Sequence, residues 1–109
     1  MDKDLNRESV YVCEADLKPG EIRGMKIQGQ WLLIVNHQGE YCALDASCAH
    51  SGYPLFEGKM DENGVITCPL HYAKFECRTG AVVSDPAICD DQPVFPIEVK
   101  DGKVFWLKT

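Results

Sequence analysis

Two short clips in the 109-residue chain carry the same chemistry twice: Cys48 and His50 in "CAH", then Cys68 and His71 in "CPLH". One residue separates the first pair, two separate the second, and residues 51–67 lie between the clips. Gly52 and Pro54 flank one clip and Pro69 sits inside the other, so each is expected to be a loop tip. Two loop tips that meet surround a metal centre with two thiolates and two neutral imidazoles. That donor set suits tetrahedral zinc or a two-iron cluster, and taken alone it leaves both open. Order separates them. Structural zinc sites of this composition usually run as a cysteine pair followed by a histidine pair, whereas here each loop supplies one of each. The mixed arrangement puts the cysteine pair on one iron and the histidine pair on the other.

Such loops need a frame, and the flanking segments read as short strands. "SVYVCEA" around Val10 to Cys13 alternates in period two, and "EIRGMKIQ" follows the Pro19-Gly20 turn. "QWLLIVNHQGEYCALD" reads as a hairpin turning at His37 to Gly39. Past the clips, "GVITC", "KFECRTGAVVS" and "FPIEVKDGKVFWLKT" read as strands, the last as a hairpin over Asp101-Gly102. The expected fold class is all-β, an antiparallel sandwich or barrel. No segment has the length, period and caps of an α-helix, although "ASCAHSGYPLFEG" has room for a short helical turn.

Composition sets the outer limits. A 45% hydrophobic, 26% charged chain with no repeat or low-complexity tract is expected to form one domain over 1–109. A net charge of −6 works against nucleic acid and anionic membrane as partners and suits a partner with a basic surface. The start "MDKDLNRESVYV" lacks the apolar core of a signal peptide, and "WLLIV" is far too short to span a bilayer. With no export signal, six cysteines read as metal ligands plus reduced core thiols, and the expected location is the cytoplasm.

The clips match the Rieske pattern, Cys-x-His followed by Cys-x-x-His, and the likeness extends further. "KFECRTGAVVSDPAICDDQPVFPIEVKDGKVFW" resembles the stretch after the second clip in the ferredoxin components of bacterial aromatic-ring oxygenases, so the resemblance covers nearly the whole chain. It implies a Rieske-type antiparallel β-sandwich with a cluster-binding subdomain of two loops, and one [2Fe–2S] cluster per chain. Cys48 and Cys68 would then hold the buried iron, and His50 and His71 the iron nearer solvent. It also implies a monomeric one-electron carrier. A ferredoxin reductase using NADH or NADPH reduces the carrier, which then docks transiently, near His50 and His71, on a terminal aromatic-ring-hydroxylating oxygenase. High-potential respiratory members of the family carry an extra disulfide and two hydroxyls near the cluster. Tyr53 and Leu70 stand where the disulfide cysteines would be, and Ala73 and Phe75 where the hydroxyls would be. These departures predict a potential near the bottom of the Rieske range, roughly −150 mV.

Other functions fit less well. A Rieske oxygenase in its own right needs a second iron on two histidines and a carboxylate, and only His37 remains outside the clips. A small Rieske-like subunit of another redox system, such as nitrite reduction, and a zinc-stabilised binding module are the alternatives. Tyr53, Pro54, Leu55, Leu70 and Tyr72 are candidates for an apolar collar, with Tyr72 at a position where the family commonly has glycine. Cys13, Cys42, Cys77 and Cys89 read as buried small hydrophobes, His37 as a solvated turn residue, and Trp31 and Trp106 as strand residues packed in the core or at an edge.

Overall fold

The computed structural model describes residues 8–48, 52–69, 72–83 and 91–108. Their strands are β1 (Glu8–Glu14), β2 (Ile22–Ile27), β3 (Gln30–His37), β4 (Glu40–Asp45), β5 (Lys59–Met60), β6 (Val65–Thr67), β7 (Lys74–Glu76), β8 (Val94–Phe95), β9 (Ile97–Lys100) and β10 (Lys103–Lys108). They form three antiparallel sheets in the orders β1-β10-β9, β2-β3-β4-β8 and β5-β6-β7. Among the described residues one 3-10 turn, Leu55–Glu57, lies in the segment that has room for a helical turn. Among the described residues no helix is long and apolar enough to cross a membrane.

The four-stranded sheet is the middle layer, which explains the unbroken apolar run in β3. Leu33 and Val35 point into one core with Leu44, Leu55, Ile66 and Phe75. Leu32 and Ile34 point into a second core with Val12, Ala43, Val104 and Trp106. An antiparallel strand with one wet face alternates apolar and polar residues, whereas a strand covered on both faces does not. The second core joins the middle sheet to β1 and β10. The first joins it to the small third sheet, and Cys48 and Cys68 lie on that side. In β1 the register shifts between Tyr11 and Cys13, and this bulge lets the neighbours Val12 and Cys13 both turn inward.

The β3–β4 and β9–β10 hairpins turn where the sequence predicts. Gln38 and Gly39 have φ of 56° and 93°, and Asp101 and Gly102 have φ of 54° and 74°. A two-residue turn with both central residues at positive φ matches the right-handed twist of the strands it joins.

Two expected strands are shorter than the sequence suggests. Phe95 pairs with Ala43 in the middle sheet, while Ile97 pairs with Trp106 in the outer sheet. Pro96, which has no N–H for a ladder, stands where the chain changes sheets, and its carbonyl accepts from the Leu107 N–H at 2.9 Å. "KFECRTGAVVS" is a strand only over Lys74–Glu76. The Glu76 carboxylate accepts from the Arg78 N–H at 3.0 Å, the Thr79 N–H at 3.0 Å and the Thr79 hydroxyl at 3.1 Å, which folds the chain back in a tight turn. After that turn Val82 bridges back to Phe75.

Candidate metal centre

Cys48 and Cys68 each head a loop closed by the same two backbone hydrogen bonds. The Cys48 N–H donates to the Tyr53 carbonyl at 2.9 Å and the Gly52 N–H donates to the Cys48 carbonyl at 2.7 Å. Likewise the Cys68 N–H donates to the Ala73 carbonyl at 2.8 Å and the Tyr72 N–H donates to the Cys68 carbonyl at 2.9 Å. Each cysteine therefore accepts from the residue four ahead and donates to the residue five ahead, an α-turn of fixed size. The clips differ by one residue in spacing, but the loops that hold them do not differ in length.

The stems are tied down where the loops leave the sheets. Ala46 follows β4 and accepts from the Leu55 N–H at 2.7 Å, and Ser47 bridges to Pro54. For the second loop, Thr67 pairs with Lys74 at the end of the β6–β7 ladder. Both thiols lie inside the first core, Cys48 at 3% and Cys68 at 0% exposure, and neither is in a disulfide. Two buried thiols at the heads of twin loops in one apolar cluster fit the cysteine half of a two-iron centre, because metal ligation neutralises thiolates that burial would otherwise penalise. His50 and His71 lie outside the described residues. Among the described residues no group of three or more candidate ligands forms a metal site, as expected where only two of the four residues are in view.

The twin loops also expose a strained position. Gly52 and Tyr72 occupy the same place in the two turns, with φ of 75° and 61°. Glycine adopts that conformation freely, whereas a bulky aromatic pays for it in steric strain. Tyr72 is 68% exposed, so its ring recovers little by burial. A Tyr72→Gly variant is expected to be more stable by about 0.5 to 1 kcal/mol, read as a higher urea midpoint; an unchanged or lower midpoint would remove strain from the account.

Gln92 links the two halves of the site, and the sequence reading missed it. Its side chain is 2% exposed, and Nε2 donates to the carbonyls of Asp45 and Ser47, both at 2.6 Å, at the root of the first loop. Its N–H donates to the Gly80 carbonyl at 2.7 Å, in the turn that follows β7. One buried amide thus fastens the first loop's stem to the segment that supports the second. A lone glutamine beside Pro93 carries no pattern that sets it apart in the sequence. Gln92→Leu keeps the bulk and strands two acceptors in part-buried hydrogen bonds, for which about 1 to 3 kcal/mol of lost stability is expected in urea unfolding.

The remaining site expectations divide. Ala73 and Phe75 are fully buried and bring no hydroxyl to this core. Leu55 is core rather than collar, Tyr53 is half-buried against that core, and Pro54 is exposed. Leu70 and Cys89 lie outside the described residues. Trp106 is buried, while Trp31 is exposed and its ring lies 5.5 Å from that of Phe56. His37 is not a solvated turn residue. It ends β3, is half-buried, and its Nε2 lies 3.2 Å from the Glu62 carbonyl. The reason is tertiary: the β5–β6 turn lies against the end of the β3–β4 hairpin.

The profile of the family described as Rieske [2Fe-2S] domain matches residues 8–99. The chain is 35% identical over 97 residues to the 3-phenylpropionate/cinnamic acid dioxygenase ferredoxin subunit of Photorhabdus laumondii, covering 88% of this chain and 90% of that protein. It is 33% identical over 98 residues to the ferredoxin component of the alkene monooxygenase system of Xanthobacter autotrophicus, covering 89% of this chain and 79% of that one. Among solved structures it resembles a chain in the complex of reduced oxygenase and oxidized ferredoxin in carbazole 1,9a-dioxygenase. That match has a TM-score of 0.82 and 34% identity, covering 91% of this chain and 92% of that chain.

Proposed function

The chain belongs to the Rieske [2Fe-2S] domain family, and from that premise we infer that it is a one-electron carrier serving a terminal oxygenase, not itself a catalyst. The observation that carries the reading is the pair of buried thiols, Cys48 and Cys68, at the heads of two loops with identical hydrogen bonding. In this reading Cys48 and Cys68 hold the inner iron, His50 and His71 hold the outer iron, and residues 1–109 make a single monomeric domain in the cytoplasm. When bound, a [2Fe–2S] centre of this ligand set takes up and releases one electron at a potential above that of four-cysteine clusters.

The chain's own residues do the rest. Leu55, Ile66, Ala73 and Phe75 keep water from the thiolate side. The twin turns hold both cysteines at fixed positions, which limits rearrangement on electron transfer. A ferredoxin reductase delivers the electron and a terminal oxygenase receives it, each docking transiently near His50 and His71. The net charge of −6 steers both encounters toward basic partner surfaces. Among the relatives, a dioxygenase acting on 3-phenylpropionate or cinnamic acid points to an aromatic substrate for the oxygenase, and the alkene monooxygenase system marks the edge of that inference.

The test is an absorption spectrum of the purified protein before and after dithionite, with EPR on the reduced sample and a redox titration. A red-brown protein that bleaches, with a midpoint near roughly −150 mV, is expected. A colourless protein holding one zinc and no acid-labile sulfide would overturn the carrier reading.

A further inference from the structure

Three groups that the metal site does not use meet at the seam between the middle sheet and the third sheet. Cys42 lies in β4, opposite Val35, and is half-buried against the first core. Cys77 follows β7, is fully buried, and donates its N–H to the Gly64 carbonyl at 2.9 Å. Both lie at the first core, and the ion pair between Arg78, next to Cys77, and Glu40, two residues before Cys42, brings the two segments together beside a groove that Cys42 and Arg78 line. Above Gly64 the third group closes in: a Cβ added there would lie 3.0 Å from His37 Nδ1 and 3.2 Å from Cys77 Sγ. The Glu62 carbonyl can only accept, so His37 Nε2 is the donor to it, and in the neutral ring Nδ1 is then the acceptor. That Nδ1 is buried and has no hydrogen-bond partner.

We propose that Cys42 and Cys77 form a reversible disulfide by exchange with a low-molecular-weight disulfide, with His37 as the base: a thiol-modification site separate from the metal loops. Cys42 is the entry point because it lines an open surface groove with Glu40, Arg78 and Val94, whereas Cys77 is sealed. The two thiols are unequal in acidity. Interaction with the Cys77 thiol holds the Cys42 thiol below its usual value against the opposing effect of burial, while the same interaction, reinforced by burial, pushes Cys77 up. An accessible thiol beside a sealed one is the arrangement of an attacking and a resolving cysteine.

The steps balance. Cys42, as thiolate, attacks one sulfur of RSSR, so that Cys42–SR forms, the S–S bond breaks and RS⁻ leaves. Cys77 passes its proton to His37 Nδ1, and its sulfur attacks Cys42, releasing the second RS⁻ and closing Cys42–Cys77. The two protein thiols lose two electrons, RSSR gains them, and the two protons released end on the two RS⁻. The product ties β4 to the end of β7 across the sheet seam.

The experiment treats the full-length protein, with its metal centre in place, with oxidised glutathione. Alkylation and peptide mapping by mass spectrometry follow. A peptide pair joined through Cys42 and Cys77 is expected, with two fewer alkylatable thiols and unchanged visible absorption. Cys77→Ser should stop at the first step, with one glutathionyl group on Cys42. His37→Gln should slow ring closure by about tenfold or more without slowing the first step. Full alkylation of both Cys42 and Cys77 after treatment overturns the proposal. So does a disulfide that involves Cys48 or Cys68 and bleaches the centre. The mapping of the unmodified sequence needs no variant to fold.

Discussion

A Cys68→Ala protein is expected to purify colourless, with iron and acid-labile sulfide reduced to background and no EPR signal after dithionite. Cys68 is fully buried and heads the second loop, so in the proposed ligand set removing its sulfur removes a ligand from the inner iron while leaving the loop's backbone hydrogen bonds available. Packing alone cannot mimic this outcome. Loss of one buried sulfur from an apolar core costs on the order of 1 kcal/mol in transfer and cavity energy and bleaches nothing. Cys13→Ala is the matched control, because Cys13 is also a buried thiol but lies in the other core, between the middle and outer sheets. That variant should keep its colour and lose only a little stability. A Cys68→Ala protein that retains full iron and its spectrum would remove Cys68 from the ligand set.

The second large effect is expected outside the two clips, at Gly80. Its φ is +76°, and an added Cβ would lie inside the contact distance of the Gln92 carbonyl oxygen and only 3.0 Å from the Gln92 carbonyl carbon. The obstacle is backbone and cannot swing aside. Gln92 is held by its own N–H on the Gly80 carbonyl and by Nε2 on Asp45 and Ser47. Gly80→Ala must therefore either break the turn after Glu76 or push Gln92 off the root of the first metal loop. A loss of about 3 kcal/mol or more is expected, which for a chain of this size lowers the thermal midpoint by about 12 °C or more. Gly102→Ala isolates the cause. Gly102 has φ of +74° and nothing within 4 Å of an added Cβ, so it should show only the conformational part, about 1 kcal/mol. Equal losses at the two positions would mean that the clash with Gln92 contributes nothing.

Legibility in the sequence followed the range of the interaction. Alternation, turn pairs and the uninterrupted "WLLIV" are written in neighbouring residues, and the strands around them lie close to where those patterns put them. Phe95 and the segment after Glu76 departed from expectation because their outcome depends on partners: Ala43 claims Phe95 for another sheet, and the Glu76 carboxylate draws Arg78 and Thr79 into a turn. His37 was misjudged for the same reason, since the Glu62 carbonyl that half-buries it is 25 residues away.

The sequence by itself determined the all-β class and, through the Rieske resemblance, the [2Fe–2S] family and the carrier function. Ligand chemistry is a matter of residue type and short spacing, and both are visible in one dimension. Only the tertiary structure decided that loops with clips of different spacing close with the same hydrogen bonds, that a buried glutamine pins one loop to the support of the other, and that Cys42, Cys77 and His37 share a seam. Each of these depends on which distant residues fold against one another, and packing across sheets leaves no periodic mark along the chain.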